Sequence, residues 1–179
     1  ANLALDIETV AAGGGSICRI EDERLFVGPE SAGSFPGPSC YGFGGPFCLT
    51  DVNLLLGRLE PKQFPTPISI VSAKNKLDEL IGKSGLSEKE LLLGFLAIAD
   101  ETMARAIRKI SVEQGYDPTD HALVSFGGAG GQHICGVAEK LGINKILHPS
   151  DAGLLSAYGL SKSRMEHHVE KQLDIKLLN

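Results

Sequence analysis

The sequence predicts a mixed α/β (α+β) fold: a β-hairpin meander, a helical insertion and a closing β-α-β-α unit. Three observations carry that prediction. Short extended runs near the N-terminus flank the glycine cluster Gly13-Gly14-Gly15-Ser16. A helix-period pattern with its own capping box runs from about Glu88 to Gln114. Beyond it, an apolar run ending at Phe126 breaks into four glycines within the five residues 127–131, and a second helical pattern follows.

Taken in order, residues 3–10 partly alternate and predict a first strand. Three consecutive glycines then turn the chain, more than a hairpin requires, and they leave backbone bare where something approaches closely. Ile17 to Ile20 and Leu25 to Val27 are the next strands, joined by the polar turn Glu21-Asp22-Glu23. Residues 28–48 hold six glycines and four prolines and predict a long irregular loop. Such loops are uncommon inside compact domains and often functional. Its aromatics Phe35, Tyr41 and Phe43 are expected to pack on a ligand, a partner or the loop itself.

Thr50-Asp51 resembles a helix start, with Asp51 read as a cap rather than a catalytic acid. Val52 to Leu56 continue that short helix. After a Pro-punctuated connection over residues 59–67, residues 69–83 predict a polar helix with Val71, Leu77, Leu80 and Ile81 on one side. Ser87-Glu88-Lys89-Glu90 is a capping box. The long helix it opens places Leu91, Phe95, Ile98, Thr102, Ala106 and Ile110 on a buried stripe. Asp100, Glu101, Arg105, Arg108 and Lys109 read as a solvated face or the wall of a cleft. A strand to Phe126, a helix carrying Ile134, Val137, Ala138 and Leu141, a strand over residues 145–148 and a helix over residues 154–163 complete the β-α-β-α unit. The charged tail from Met165 reads as an exit segment.

The 179 residues and 42% apolar content suit one ordinary domain. A net charge of −5 without a Lys/Arg-rich run argues against a nucleic-acid surface. No apolar run approaches the ~20 residues that span a bilayer. Four widely spaced cysteines without a C-x-x-C pair argue against a zinc knuckle and predict reduced thiols in a cytoplasmic protein. Cys40, beside Tyr41 in the loop, is a candidate reactive thiol. The chain opens inside an apolar run, which suggests a piece of something larger.

No G-x-S-x-G motif and no H-x-x-x-H metal spacing occurs. The dinucleotide pattern fails at His133, and the P-loop pattern lacks its Gly-Lys-Ser/Thr. Two glycine turns remain. Gly127, Gly128, Ala129 and Gly130 lead from a strand into a helix, which aims backbone N–H groups and a helix dipole at one point and suits an anionic or nucleotide ligand. The same glycines also suit close packing alone, and both readings stand at this level. Ser16 offers a hydroxyl to a phosphate or stabilises its own turn. His133, at the helix start, is the best-placed histidine for contact with a ligand or for acid–base work; its structural reading is a polar helix-start residue. Two glycine turns flanking one cleft match the way actin-like ATPases hold nucleotide.

The chain resembles the hydantoinase A / 5-oxoprolinase family. The resemblance rests on residues 8–17 (ETVAAGGGSI), 28–33 (GPESAG), 36–42 (PGPSCYG), 50–59 (TDVNLLLGRL), 126–130 (FGGAG) with His133, and 153–159 (GLLSAYG). These stretches occur in family order along nearly the whole chain. One departure is Gly131, where the family usually has proline. The resemblance implies an actin-like, ribonuclease H-like fold. It implies ATP-dependent opening of small cyclic amides or, as the alternative, ATP-dependent carboxylation of ketones. It further implies ATP with magnesium as cofactor, a hydantoinase B-type partner subunit or domain, and an oligomer.

By this resemblance residues 1–164 would form the second lobe of the ATPase domain, with residues 28–86 as an insertion and 165–179 as exit. Gly13, Gly14, Gly15 and Ser16 would lie near the phosphates, and Gly127, Gly128, Ala129 and Gly130 near the adenosine. The family's Asp-x-Gly-Gly-Thr phosphate loop has no counterpart in these residues. The 179 residues alone are therefore expected not to turn over. A non-catalytic nucleotide-binding or assembly module, and a plain structural domain whose glycines only pack, are the competing classes.

Overall fold

The computed structural model describes residues 8–163. The exit segment over residues 165–179, and all of the first predicted strand except residues 8–10, lie outside the described residues; residues 8–10 form no strand. Strands β1 (Ser16–Glu21) and β2 (Arg24–Ser31) pair antiparallel, with Cys18 opposite Val27 and Ile20 opposite Leu25. Asp22 and Glu23 both take positive φ at their connection. That is the backbone of a two-residue turn whose twist matches the strands.

The loop expected over residues 28–48 is not structureless. A short 3-10 turn, Ser39–Tyr41, lies inside it, and Ile17 bridges to Cys48 at its end. Its organiser is Asp51 in helix α1 (Leu49–Leu55). The buried carboxylate accepts backbone N–H bonds from Ser39 (3.1 Å), Cys40 (2.7 Å) and Cys48 (2.7 Å). Asp51 is a cap, as its position suggests, but it caps the loop as well as its own helix. Hydrogen bonds to a charged acceptor stabilise more than neutral ones, and here three converge on one side chain.

Helix α2 (Ile70–Ser84) starts at Ser69, whose hydroxyl accepts from the Ser72 N–H, and ends at Gly85 in the left-handed conformation. Ala73 and Leu77 form its buried face with Leu80 and Ile81, whereas Val71 is exposed, against expectation. It occupies the first turn, before the face has rotated onto the core. Helix α3 (Glu88–Glu113) has the expected Ser87–Glu90 capping box. Its 26 residues span about 39 Å.

Two cores share this helix. Its first half packs Leu91, Leu92, Phe95, Leu96 and Ala99 against the hairpin, α1 and α2, with Phe47 beside Phe95 at 6.3 Å. Fully buried side chains such as Phe95, Leu49 and Leu91 each contribute about 1.5–3 kcal/mol. Its second half packs Ala104, Met103 and Ile107 against helix α4 (Ile134–Leu141). The buried stripe therefore follows positions 92, 96, 99 and 104 rather than 98, 102, 106 and 110, because the helix must face partners on both sides along its length.

All four apolar positions expected for α4 are buried. Helix α4 connects β3 (Leu123–Val124) to β4 (Ile146–Leu147), which pair parallel. A short 3-10 turn then leads into α5 (Leu155–Lys162). Val124, Phe126, Leu147 and Leu154 around this small sheet are exposed. Among the described residues no helix is long and apolar enough to cross a membrane.

Candidate functional site

The first glycine turn is held from three sides. Ser16 donates its N–H to the Gly13 carbonyl at 2.9 Å. The Gly14 carbonyl accepts from both the backbone N–H and the hydroxyl of Thr50, each at 2.9 Å. The Gly15 carbonyl accepts from the Ala32 N–H at 2.9 Å. All three glycine carbonyls thus turn into the protein. The N–H groups of Gly14 and Gly15 have no partner among the described residues. A run of free amides beside bound carbonyls is a concavity suited to an anion. A Cβ at Gly14 would stand 2.7 Å from the Thr50 hydroxyl, and one at Gly15 2.9 Å from the Ser31 hydroxyl, so the backbone approaches too closely for any side chain.

Ser16 turns inward. Its hydroxyl accepts from the Gly13 N–H at 3.0 Å and donates to the Ala11 carbonyl at 3.3 Å, and the residue is buried. Both of these hydrogen bonds lie inside the turn.

The second turn is looser. Gly127 sits at φ +84°, a conformation that favours glycine, and donates to the Ala152 carbonyl at 2.8 Å. Gly128 has open space where a Cβ would be, whereas Gly130 backs onto the Ser125 hydroxyl and Gly131 onto the His148 ring. The N–H groups of residues 128–131 have no partner among the described residues.

His133 is buried with both ring nitrogens engaged. Nδ1 lies 2.8 Å from Asp100 Oδ1 and Nε2 lies 3.1 Å from the Asn53 amide nitrogen. With the Asp100 carboxylate accepting, Nδ1 carries the proton and Nε2 accepts from Asn53. Asp100 is therefore not on a solvated face. It is buried, and its carboxylate stands against Gly136 of α4, where no side chain fits. This Asn53–His133–Asp100 bridge joins α1, the second turn and α3 at the seam between the two cores.

Gly14 and Gly15 of the first turn and Gly128 and Ala129 of the second line one cleft of about 560 Å³. Its opposite side is the insertion, where the rings of Tyr41 and Phe64 pack at 5.9 Å. A second cleft of about 810 Å³ adjoins it past Gly128, walled by Gly127, Gly131, His148 and Ser150. Arg58 and Gln132 line both, and Arg58 Nη1 donates to the Gln132 carbonyl at 2.8 Å. The surface thus combines amides unpartnered among the described residues, backbone bare of side chains, one cation and an aromatic wall. Among the described residues no group of three or more His, Cys, Asp or Glu side chains is placed to hold a metal ion.

Cys40 is fully buried, and burial first, then the nearby Asp51 carboxylate, pushes its thiol well above the usual range. Cys48 is pushed up to about 12 by the same causes, and Cys18 is raised chiefly by burial. Cys40 is an inert core thiol, contrary to the reactive reading. Cys135 is the exposed thiol, at the mouth of the second cleft.

The partners Asn53, Arg58 and Asp100 escaped the sequence reading. Asn53 and Arg58 lie in the stretch 50–59 that carries the resemblance, but their contacts are 80 and 74 residues away. For Asp100 a signal existed: an acid set between the apolar positions Ala99 and Met103.

A family model described as hydantoinase/oxoprolinase matches residues 3–169. The 5-oxoprolinase PfmaA of Pestalotiopsis fici is 43% identical over 185 residues, covering 96% of this chain and 14% of that protein. The crystal structure of an ATP-dependent caprolactamase from Pseudomonas jessenii superposes with a TM-score of 0.79 at 38% identity, over 87% of this chain and 23% of that one. A nucleotide-free acetone carboxylase structure superposes with a TM-score of 0.73 at 27% identity, over 83% of this chain and 22% of that one. The chain thus spans a small part of each relative, and with its residues 3–169 matched it belongs to the hydantoinase/oxoprolinase family.

Proposed function

We propose that this chain supplies the nucleotide-holding lobe of an ATP-dependent cyclic-amide hydrolase. The observation that carries the reading is the meeting of two glycine turns, each with unpartnered amides, on one cleft. Residues 1–164 form the second lobe of an actin-like ATPase domain in this reading, with residues 28–86 inserted. A hydantoinase B-type subunit or domain completes the enzyme as an oligomer in the cytoplasm. The caprolactamase likeness supports the amide substrate. The acetone carboxylase likeness supports the alternative of ketone carboxylation, in which the same lobe would hold the same nucleotide.

Bound ATP would supply the phosphoryl group that activates an amide oxygen. The chain's own residues position it. The Gly14 and Gly15 amides hold anionic oxygens, fixed there by Thr50 and, behind it, Asp51. The amides of residues 128–130 form the second wall on the adenosine side. His133 acts as a positioning residue: its bridge to Asp100 and Asn53 sets where the second turn stands relative to α1. The Tyr41–Phe64 wall limits water in the cleft. Preorganised amides of this kind stabilise developing charge without reorganisation.

Calorimetric titration with ATP and ADP tests the reading. The protein is expected to bind both, and Gly128→Val, whose side chain would enter open cleft space, is expected to weaken binding at least tenfold with the fold intact. Absence of nucleotide binding by folded protein would sink it. The 179 residues by themselves are expected to release no phosphate from ATP in the presence of a cyclic amide.

A further inference from the structure

We infer that Arg58 is the anion-recognising residue of this site, binding the polyphosphate of the nucleotide where the two clefts meet. The inference rests on the nucleotide reading above. Arg58 follows α1 directly and is the single lysine or arginine among the described residues lining either cleft. The one hydrogen bond of its guanidinium among the described residues, from Nη1 to the Gln132 carbonyl, uses one of five N–H donors. The others have no partner among the described residues, and no carboxylate stands within ion-pair distance of it.

Three other arginines differ. Arg19 is paired with Glu21 and Glu30, and Arg105 and Arg108 with Glu101. Glu60, the acid that lines the same cleft, turns one carboxylate oxygen to the Lys62 N–H at 3.2 Å. Among the described residues Arg58 is thus a cation with no counter-charge, tethered by one donor to the second glycine turn, beside the unpartnered amides of residues 128 and 129. A fork of donors held this way presents its remaining N–H groups to an anion in a fixed orientation.

A purely structural role, closing the Gln132 carbonyl, makes a different prediction, and Arg58→Gln separates the two. Glutamine keeps a neutral donor for the carbonyl and removes the charge. Affinities for ATP, ADP and adenosine are measured by titration at low and moderate salt, with Arg58→Ala alongside. The expected result is about a tenfold or greater loss of ATP and ADP affinity in Arg58→Gln, unchanged adenosine affinity, and a weaker salt dependence than in the unsubstituted protein. Unchanged ATP affinity in Arg58→Gln overturns the assignment while leaving the nucleotide reading in place. So does an equal loss for adenosine and ATP, which marks a structural role. If the unsubstituted protein binds none of the three ligands, the nucleotide reading fails and the assignment falls with it.

Discussion

The two glycine turns line the same cleft but are built in opposite ways. The turn at residues 13–16 is clamped: its carbonyls are bonded to Ser16, Thr50 and Ala32, its serine is folded back on itself, and side chains crowd the places where Cβ atoms of Gly14 and Gly15 would be. The turn at residues 127–131 hangs from a parallel sheet of two residues per strand, one bond to Ala152, the Arg58 tether and the buried His133 bridge. A Cβ added at Gly128 would meet open space among the described residues, although one at Gly130 would meet the Ser125 hydroxyl. One turn owes its shape to neighbours packed around it, the other to a few polar links at a distance. In the proposed function, the clamped turn is the one that holds the phosphates and the open turn the one that faces the base.

The largest expected effect tests the clamped side. Asp51→Asn turns one of the two carboxylate oxygens that accept three converging N–H bonds into a donor in a fully buried place. A loss of about 3 kcal/mol or more in denaturant unfolding is expected. A loss below about 1 kcal/mol would show that the loop holds without its organiser. Next is the link that supports the open turn. His133→Ala strands the buried Asp100 carboxylate and Asn53 amide, for an expected cost of about 2 kcal/mol. Nucleotide affinity should fall with it, because the second turn loses its anchor to α1.

The third prediction sets the turns directly against each other. Gly14→Ala forces a methyl against the Thr50 hydroxyl and should cost about 1–3 kcal/mol. Gly128→Val should cost about 0.5 kcal/mol while doing the greater damage to binding. Equal stability losses would erase the distinction between clamped and open.

The smallest effects concern the thiols. Iodoacetamide on the folded protein should label Cys135 and spare Cys18, Cys40 and Cys48, read by peptide mass spectrometry. Those three buried thiols are raised above their unfolded range, so the folded state keeps its protons longer. Their contribution to stability is complete below the unfolded thiol pKa of about 8.5 and is lost as pH rises towards the folded values, about 12 for Cys48. Unfolding midpoints should therefore fall steadily above about pH 8.5, and fall less in a Cys48→Ala variant compared with its own value at pH 7.

Much of the fold was legible in the sequence. The capping box at Ser87 and the apolar period after it determined α3 to within a residue at its start, because caps and amphipathic spacing are local codes. The apolar positions of α4 and the Glu21–Arg24 turn were equally local. Composition argued against a basic nucleic-acid surface, and the order of the glycine-bearing stretches pointed to the family. Tertiary structure decided which face of a residue mattered. Asp100 reads as a surface charge until α4 closes over it with Gly136 and His133. Ser16 and Cys40 look like ligand-facing groups until the turn and the Asp51 hub draw them inward. Arg58 acquires a role only when residue 132, remote in the chain, arrives beside it. Local spacing encodes element type. The burial, charge pairing and hydrogen-bond partners of a polar side chain depend on segments tens of residues away, and only the assembled fold brings them together.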